Sequence, residues 1–516
     1  MDRYDRHDVV AIRPTPLSPA DVVAVARRGA RVELTDDSRA AIARARATVE
    51  DLVAKSTPVY GLSTGFGALA VRHIPVDRRA ALQRSLIRSH AAGLGPPVED
   101  EVVRAMMLLR TRTLAQGLSG VRPEVVDLLM ALLNHGITPV VPEHGSLGCS
   151  GDLAPLAHVA MALMGEGEVV ASGASRPAAE ALADAGLHPV ELAAKEGLAL
   201  VNGTDGMLGM LVLACHDLGR LLPAADLTAA MSVEAALGTD RVFAADLAGL
   251  RPHPGLATSA ANMARLLDRS EIVASHRTGD PRVQDAYSLR CAPQVTGAAR
   301  DTLAHVEAVA ERELAAVIDN PLVLHDGRVE SNGNFHGAPL AHACDFLAIV
   351  AADVGAMAER RVDRLLDPAR SHGLPPFLAD DPGVDSGMMI AQYTAAALVA
   401  ENRRLAVPAS VDSIPTSAMQ EDHVSMGWAA ARKLRTALDN LARILAVELL
   451  VAARALDLRR PLHPAPATGA VVAALRQHVD GPGPDRFAAP ELAAAERLVR
   501  SGSAVAAAEQ VIGELP

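Results

Sequence analysis

The sequence predicts an all-α protein organised around a central bundle of long helices, and three observations carry that prediction. Half of its 516 residues are hydrophobic yet only 2% are aromatic, so the apolar content rests on alanine and leucine, both strong helix formers. The β-branched and aromatic residues that favour strands do not gather in alternating runs. Apolar residues recur at helical spacing over stretches longer than the mean helix of about a dozen residues.

Up to about residue 205, short helical patterns alternate with Gly/Pro-rich loops such as Tyr60–Gly67 and Ala91–Pro97. Loops of this kind, held by a rigid scaffold, are where chemistry is usually found. From Gly206 the pattern lengthens, and helices are expected over Asp301–Ile318, Ala341–Leu366 and Ala429–Leu458. Their alanine-rich faces allow close helix-to-helix approach, which is the basis for a bundle. Polar, glycine-bearing segments lie between them at Gly279–Gln294, Ser331–Pro339 and Ser410–Gly427. The final stretch opens on proline-rich turns and closes in an alanine-rich helix. The chain therefore divides into a loop-rich part over 1–205, a long-helix part over 206–460 and a helical segment over 461–516, together forming one continuous unit.

A net charge of −12 without a basic block argues against nucleic acid as a partner. The charged start of the chain, Met1-Asp2-Arg3-Tyr4-Asp5-Arg6, does not read as a signal peptide. The apolar run Ile444–Ala453 contains Glu448 and is bracketed by Arg443 and Arg454, too short and too charged to span a bilayer. Cys149, Cys215, Cys291 and Cys344 lie far apart, so neither a disulfide framework nor a zinc site is expected. No HExxH or paired Cys/His spacing occurs, and no metal is assigned. A cytoplasmic setting fits these features best.

The most informative stretch is Gly145-Ser146-Leu147-Gly148-Cys149-Ser150-Gly151-Asp152-Leu153-Ala154-Pro155-Leu156. One reading is a helix start, with Ser150 or Asp152 as N-cap and Pro155 in the first turn of a helix through Met164. The other reading is chemical. Side chains supply bases and nucleophiles but no strong carbon electrophile, and a Cys-Ser-Gly turn can make one from its backbone. The Gly151 nitrogen attacks the Cys149 carbonyl carbon with loss of water, and Ser150 loses its hydroxyl as a second water. Glycine at 151 tolerates the tight turn this needs, and Asp152 is placed to assist proton removal. The two readings are compatible, since a helix N-terminus presents its positive end to such a ring.

Other polar clusters stand in the loops: Asn202-Gly203-Thr204-Asp205-Gly206, Val283–Cys291, Asn332–Gly337 and Met419–Met426. Together with the Ser146–Pro155 motif, they make the chain resemble the aromatic amino-acid lyase family over essentially its whole length, and within it the histidine-specific ammonia-lyases. The resemblance implies a fumarase/aspartase-like helical architecture and a homotetramer with active sites shared between subunits. It also implies a self-formed 4-methylidene-imidazol-5-one (MIO) group from Cys149, Ser150 and Gly151, with no external cofactor. The implied reaction is the non-oxidative deamination of L-histidine to trans-urocanate and ammonia, the first step of histidine degradation. A tyrosine ammonia-lyase or an aromatic amino-acid 2,3-aminomutase of the same family is the alternative.

The roles of individual residues follow from the same resemblance. Tyr60 matches the catalytic tyrosine and Tyr287 a second active-site tyrosine. Arg290 matches the carboxylate-binding arginine, whose planar fork suits a bidentate pair. Asn202 and Gln284 position the substrate and the ring, and Phe335 lines the pocket. His90, in the pair Ser89-His90, and Glu421 mark histidine specificity, because a site built to hydrogen-bond a polar ring rejects a phenyl ring. Either Tyr60 or Glu421 serves as the β-proton base. Cys149 stands where alanine is the commoner residue, and it contributes its carbonyl carbon, not its thiol, to the ring.

Overall fold

The computed structural model describes residues 8–54 and 64–516. Among the described residues the chain is dominated by helices, and its nine strands are only two to four residues long. The all-α expectation holds. The strands form small local ribbons, such as Val9–Ile12 paired in parallel with Arg31–Leu34. There Val10 and Ile12 are buried while Val9 is exposed, the alternation expected of a half-buried strand.

The chain folds into two compact units. The first comprises Met1–Leu213, Glu307–Asp345 and Pro408–Arg432, and the second Ala214–Val306, Phe346–Val407 and Lys433–Pro516. Both units thus draw on separated parts of the chain, where the reading by sequence cut it at 205 and 460.

Four helices are much longer than the rest: Asp205–Ala235, Ala292–Ala315, Ala338–Leu366 and Gly427–Asp457. The last two agree with expectation to within a few residues. The Ala292–Ala315 helix starts earlier than the expected Asp301, because Pro293 fits a first turn that needs no amide donor. It also stops short of the expected Ile318. There the Arg112 guanidinium takes the carbonyl oxygens of Ala315 and Ala316 at 3.2 and 2.5 Å, occupying C-terminal acceptors that a further turn would have used. By length and composition alone, the stretches Glu196–Ala235 and Ala338–Leu366 could cross a membrane. The apolar window of the first is wholly buried in the protein, as in the core helix of a helical fold.

In the first unit, the Asp100–Ala115 helix packs against Pro19–Arg28 and Pro123–Asn134. The helix following the Cys-Ser-Gly motif, Leu153–Leu163, packs against both Arg79–His90 and Glu196–Val201. These contacts anchor the segments that carry the site. In the second unit, Glu448 is completely buried in the Gly427–Asp457 helix. Thr228 and Ser232 donate to it at 2.7 and 2.8 Å, and the Arg361 guanidinium pairs with both its oxygens. A buried carboxylate is tolerated only when its lone pairs are filled in this way.

Candidate active site

The motif turn is backbone-strained and locked from outside. Gly148, Ser150 and Gly151 adopt φ of 71°, 51° and 77°, the left-handed region that costs a non-glycine residue about 1–2 kcal/mol. Such outliers persist only where the surroundings enforce them. Here the enforcement is visible. A Cβ on Gly151 would lie 2.1 Å from the Gly203 carbonyl oxygen, and the next amide, Asp152 N, donates to that same oxygen at 2.7 Å. Gly203 is itself confined, since a Cβ there would lie 2.0 Å from Arg110 Nη2.

Arg110 closes this layer. It is fully buried in the Asp100–Ala115 helix and donates to the carbonyls of Ala199, Asn202 and Ile318 at 2.9, 3.3 and 2.9 Å. It also pairs with Asp205 at 2.8 Å. One guanidinium therefore fixes the turn 199–203 on which the motif rests. Asn202 is 4% exposed, and its Oδ1 is buried with no hydrogen-bond partner among the described residues.

Asp152 occupies the N-cap position of Leu153–Leu163 but makes no side-chain bond to that helix. Its carboxyl group turns to another one. Oδ2 accepts from Gly206 N and Met207 N at 2.9 and 3.0 Å, and Oδ1 accepts from Ser146 Oγ at 2.9 Å. Of the two residues expected as N-cap, Ser150 or Asp152, the second holds the position, but its side chain caps the Asp205–Ala235 helix. Burial pushes the Asp152 carboxyl up to about 7, against the pull of its amide and hydroxyl donors.

Glu421 meets the motif directly. Ser150 Oγ donates to Oε1 at 3.1 Å, Cys149 Sγ to Oε2 at 3.4 Å, and Thr416 Oγ1 to Oε2 at 2.7 Å. Residues 416 and 421 also exchange backbone bonds at 3.0 and 3.3 Å, which holds the loop shut behind the carboxylate. Burial, then the Glu421 charge, push the Cys149 thiol up to about 12, so it stays protonated. His90 ends the Arg79–His90 helix, with Nδ1 3.1 Å from Ser89 Oγ. Burial lowers its pKa, while the Leu86 carbonyl and the charge of Glu421 pull the other way.

Two further loops seat the motif. Gly337 N and Ser425 Oγ both donate to the Gly148 carbonyl, at 3.0 and 2.8 Å, and Met426 N donates to Leu147 O at 2.8 Å. Half-buried Phe335 lies two residues before Gly337. The neighbouring His336 stacks on His423 with ring centroids 5.7 Å apart.

A strained Cys-Ser-Gly turn, buried against a glycine and facing a carboxylate, thus stands at the centre of the first unit's polar loops. The profile of the family "Aromatic amino acid lyase" matches residues 17–477. The chain belongs to the aromatic amino acid lyase family. A histidine ammonia-lyase of Streptomyces avermitilis is 65% identical over 508 residues, covering 98% of this chain and 99% of the relative. Among solved structures, a tyrosine aminomutase from Streptomyces globisporus superposes with a TM-score of 0.92 at 38% identity, covering 98% of this chain and all of that one. A histidine ammonia-lyase from Trypanosoma cruzi gives 0.90 at 38% identity, covering 98% and 96%.

In this lyase Gln284, Tyr287 and Arg290 lie in the second unit. Tyr287 and Arg290 begin and end a one-turn helix, and the guanidinium carbon sits 4.8 Å from the Tyr287 ring centroid. Stacking on the ring orients the guanidinium, and Arg290 Nε is buried without a partner among the described residues. The turn is tied down where Arg361 Nη1 reaches the Ser288 carbonyl at 3.4 Å. Gln284 and Tyr287, both exposed, border a cleft with Arg282, Asp285, Arg364 and His372. Tyr60 lies outside the described residues.

Sequence reading gave no role to Arg110 or Thr416. For Arg110 a signal existed: a lone cation within Met106-Met107-Leu108-Leu109-Arg110 interrupts an apolar helical run, and buried charges are there for a partner. Thr416 carries no such signal.

Proposed function

We propose that this lyase is a histidine ammonia-lyase that removes ammonia from L-histidine to give trans-urocanate, using an MIO group formed from Cys149, Ser150 and Gly151. The observation that carries the reading is the left-handed Ser150-Gly151 turn wedged against Gly203, with Glu421 on the Ser150 hydroxyl. The residues present fit the group. Consecutive positive-φ residues fold the chain tightly enough for the Gly151 nitrogen to approach the Cys149 carbonyl, and the orphaned Asn202 Oδ1 offers a polar contact to the ring or the substrate. When formed, the group supplies a carbon electrophile that makes the α-amino nitrogen a better leaving group.

The chain's own residues do the rest. Arg290, held by its stack on Tyr287, pairs with the substrate carboxylate through its planar fork. His90 and Glu421 face the substrate imidazole, whose two ring nitrogens need a donor and an acceptor. Phe335 supplies an apolar wall, Gln284 and Asn202 position substrate and ring, and Tyr287 guides the departing ammonia. Tyr60 or Glu421 takes the β-proton. The 65% identity to a histidine ammonia-lyase, against 38% to the tyrosine aminomutase, favours histidine over a tyrosine substrate or an amine shift. Active sites shared within a homotetramer, in the cytoplasm, complete the proposal. Exposure of Val283, Tyr287, Ile390 and Tyr393 supports association, since these apolar side chains lie uncovered in one chain.

Purified protein incubated with histidine, tyrosine and phenylalanine tests the reading through product identity. Urocanate formed from histidine alone is expected. Consumption of tyrosine without urocanate production overturns the substrate assignment.

A further inference from the structure

The contact between Ser150 and Glu421 concerns a hydroxyl that the mature group no longer has. Ser150 Oγ lies 3.1 Å from Glu421 Oε1, yet that oxygen departs as water when the ring matures. A carboxyl group aimed at a leaving group before the enzyme has turned over any substrate has a purpose in making the site. We propose that Glu421 is the general acid for dehydration of Ser150 during self-maturation, in addition to its place beside the substrate. The inference rests on the MIO reading above.

The geometry sets the carboxyl group for this task. Oε2 already accepts two hydrogen bonds, from Thr416 Oγ1 at 2.7 Å and Cys149 Sγ at 3.4 Å. Oε1 faces Ser150, and a proton taken from solvent onto Oε1 reverses that hydrogen bond, so that the carboxyl group donates to Oγ. A carboxylic acid so held gives its proton across the Oγ contact within general-acid reach. After ring closure, the Ser150 Cα–H bond breaks and its electron pair forms the Cα=Cβ double bond. The Cβ–Oγ bond breaks, and the departing hydroxyl takes the Glu421 proton to leave as water. The Cα proton passes to solvent, from which Glu421 regains its own. One water is lost and the step is redox-neutral overall, the formal oxidation of Cα matching the reduction of Cβ. Asp152 is less suited to this step, because both its oxygens are already committed to Ser146, Gly206 and Met207.

The test is intact mass, followed in time after synthesis, with near-UV circular dichroism as the check of fold. Wild type should end two waters light. Glu421→Gln keeps size and shape but has no acidic proton, and it should accumulate a species one water light, with the ring closed and the hydroxyl retained. Thr416→Val keeps the carboxyl group but releases Oε2, and it should slow the second water loss several-fold, with Thr416→Ser restoring it. Two-water loss at the wild-type rate in Glu421→Gln overturns the proposal and leaves the MIO reading intact. A folded Glu421→Gln that loses no water also overturns it, because the acid then acts before ring closure. If Glu421→Gln does not fold, the Thr416 pair decides, and unaltered kinetics in Thr416→Val overturn the proposal. A wild-type mass with no water missing overturns the MIO reading itself.

Discussion

The Cys149–Asp152 turn and the Tyr287–Arg290 turn are both short, glycine- or serine-containing segments with proposed catalytic duties, and they are built in opposite ways. The first is interlocked. Cys149, Gly151 and Asp152 are buried, and the turn is pinned by Gly203, Glu421 and the 425–427 loop. The second is open. Tyr287 is 69% exposed, and Arg290 is oriented mainly by stacking on that ring. The contrast matches the two tasks. Backbone chemistry needs atoms forced together, so it needs surroundings that cannot yield. Capturing a substrate carboxylate needs a charged group free to receive it, so an unpartnered guanidinium nitrogen is an asset.

Breaking the interlocked turn should have the largest effect. In Gly151→Ala, the new methyl meets the Gly203 carbonyl at 2.1 Å, and both strain and overpacking follow. Stability should drop by about 3 kcal/mol, the two-water mass deficit should vanish, and activity should fall below detection. A fully dehydrated, active Gly151→Ala protein would show that the wedge is dispensable.

The open turn should respond differently. Arg290→Lys keeps the charge but loses the planar fork, and KM for histidine should rise about 10- to 100-fold with a smaller change in kcat. Its melting temperature should match wild type, because the substitution leaves the buried Leu289 of the turn in place. A large fall in melting temperature without a KM change would erase the contrast between the turns.

The last effect is on pH dependence and not on activity, and it sharpens the picture of the interlocked side. Asp152 titrates near 7 in the fold but near about 3.9 in an unfolded chain. Between those values the unfolded chain ionises Asp152 while the folded protein keeps it neutral. Stability contributed by this group is therefore present below about pH 4 and is lost as pH rises through 7. Asp152→Asn should remove that part of the slope in denaturant midpoints measured from pH 4 to 7. An unchanged slope would place the pH dependence elsewhere.

On both sides of this contrast the polar clusters were legible in the sequence, and the contacts that hold them were not. Ser150, Glu421 and Asn202 sit in polar, glycine-bearing clusters that interrupt helical patterns, and such clusters can be read locally. The long helices could be read too, although the Ala292–Ala315 boundaries moved because they depend on Pro293 and on the distant Arg112 guanidinium. What could not be read was support from afar. Arg110 serves carbonyls at 199, 202 and 318, and no local pattern announces a partner two hundred residues away. Asp152 misled in the same manner. A helix-start signature was present, but its side chain was claimed by the helix that begins at Asp205. Thr416 is a hydroxyl in a polar loop, one among several, until folding sets it on Glu421.

The wedge of Gly151 against Gly203 joins residues 52 positions apart, so it exists only in a chain that has already folded. If dehydration at 149–151 depends on it, the missing mass becomes a permanent birthmark. A molecule later unfolded in urea would still carry it, and one that never reached its native state would not. Weighing a denatured sample would then count how many of its chains had ever been folded.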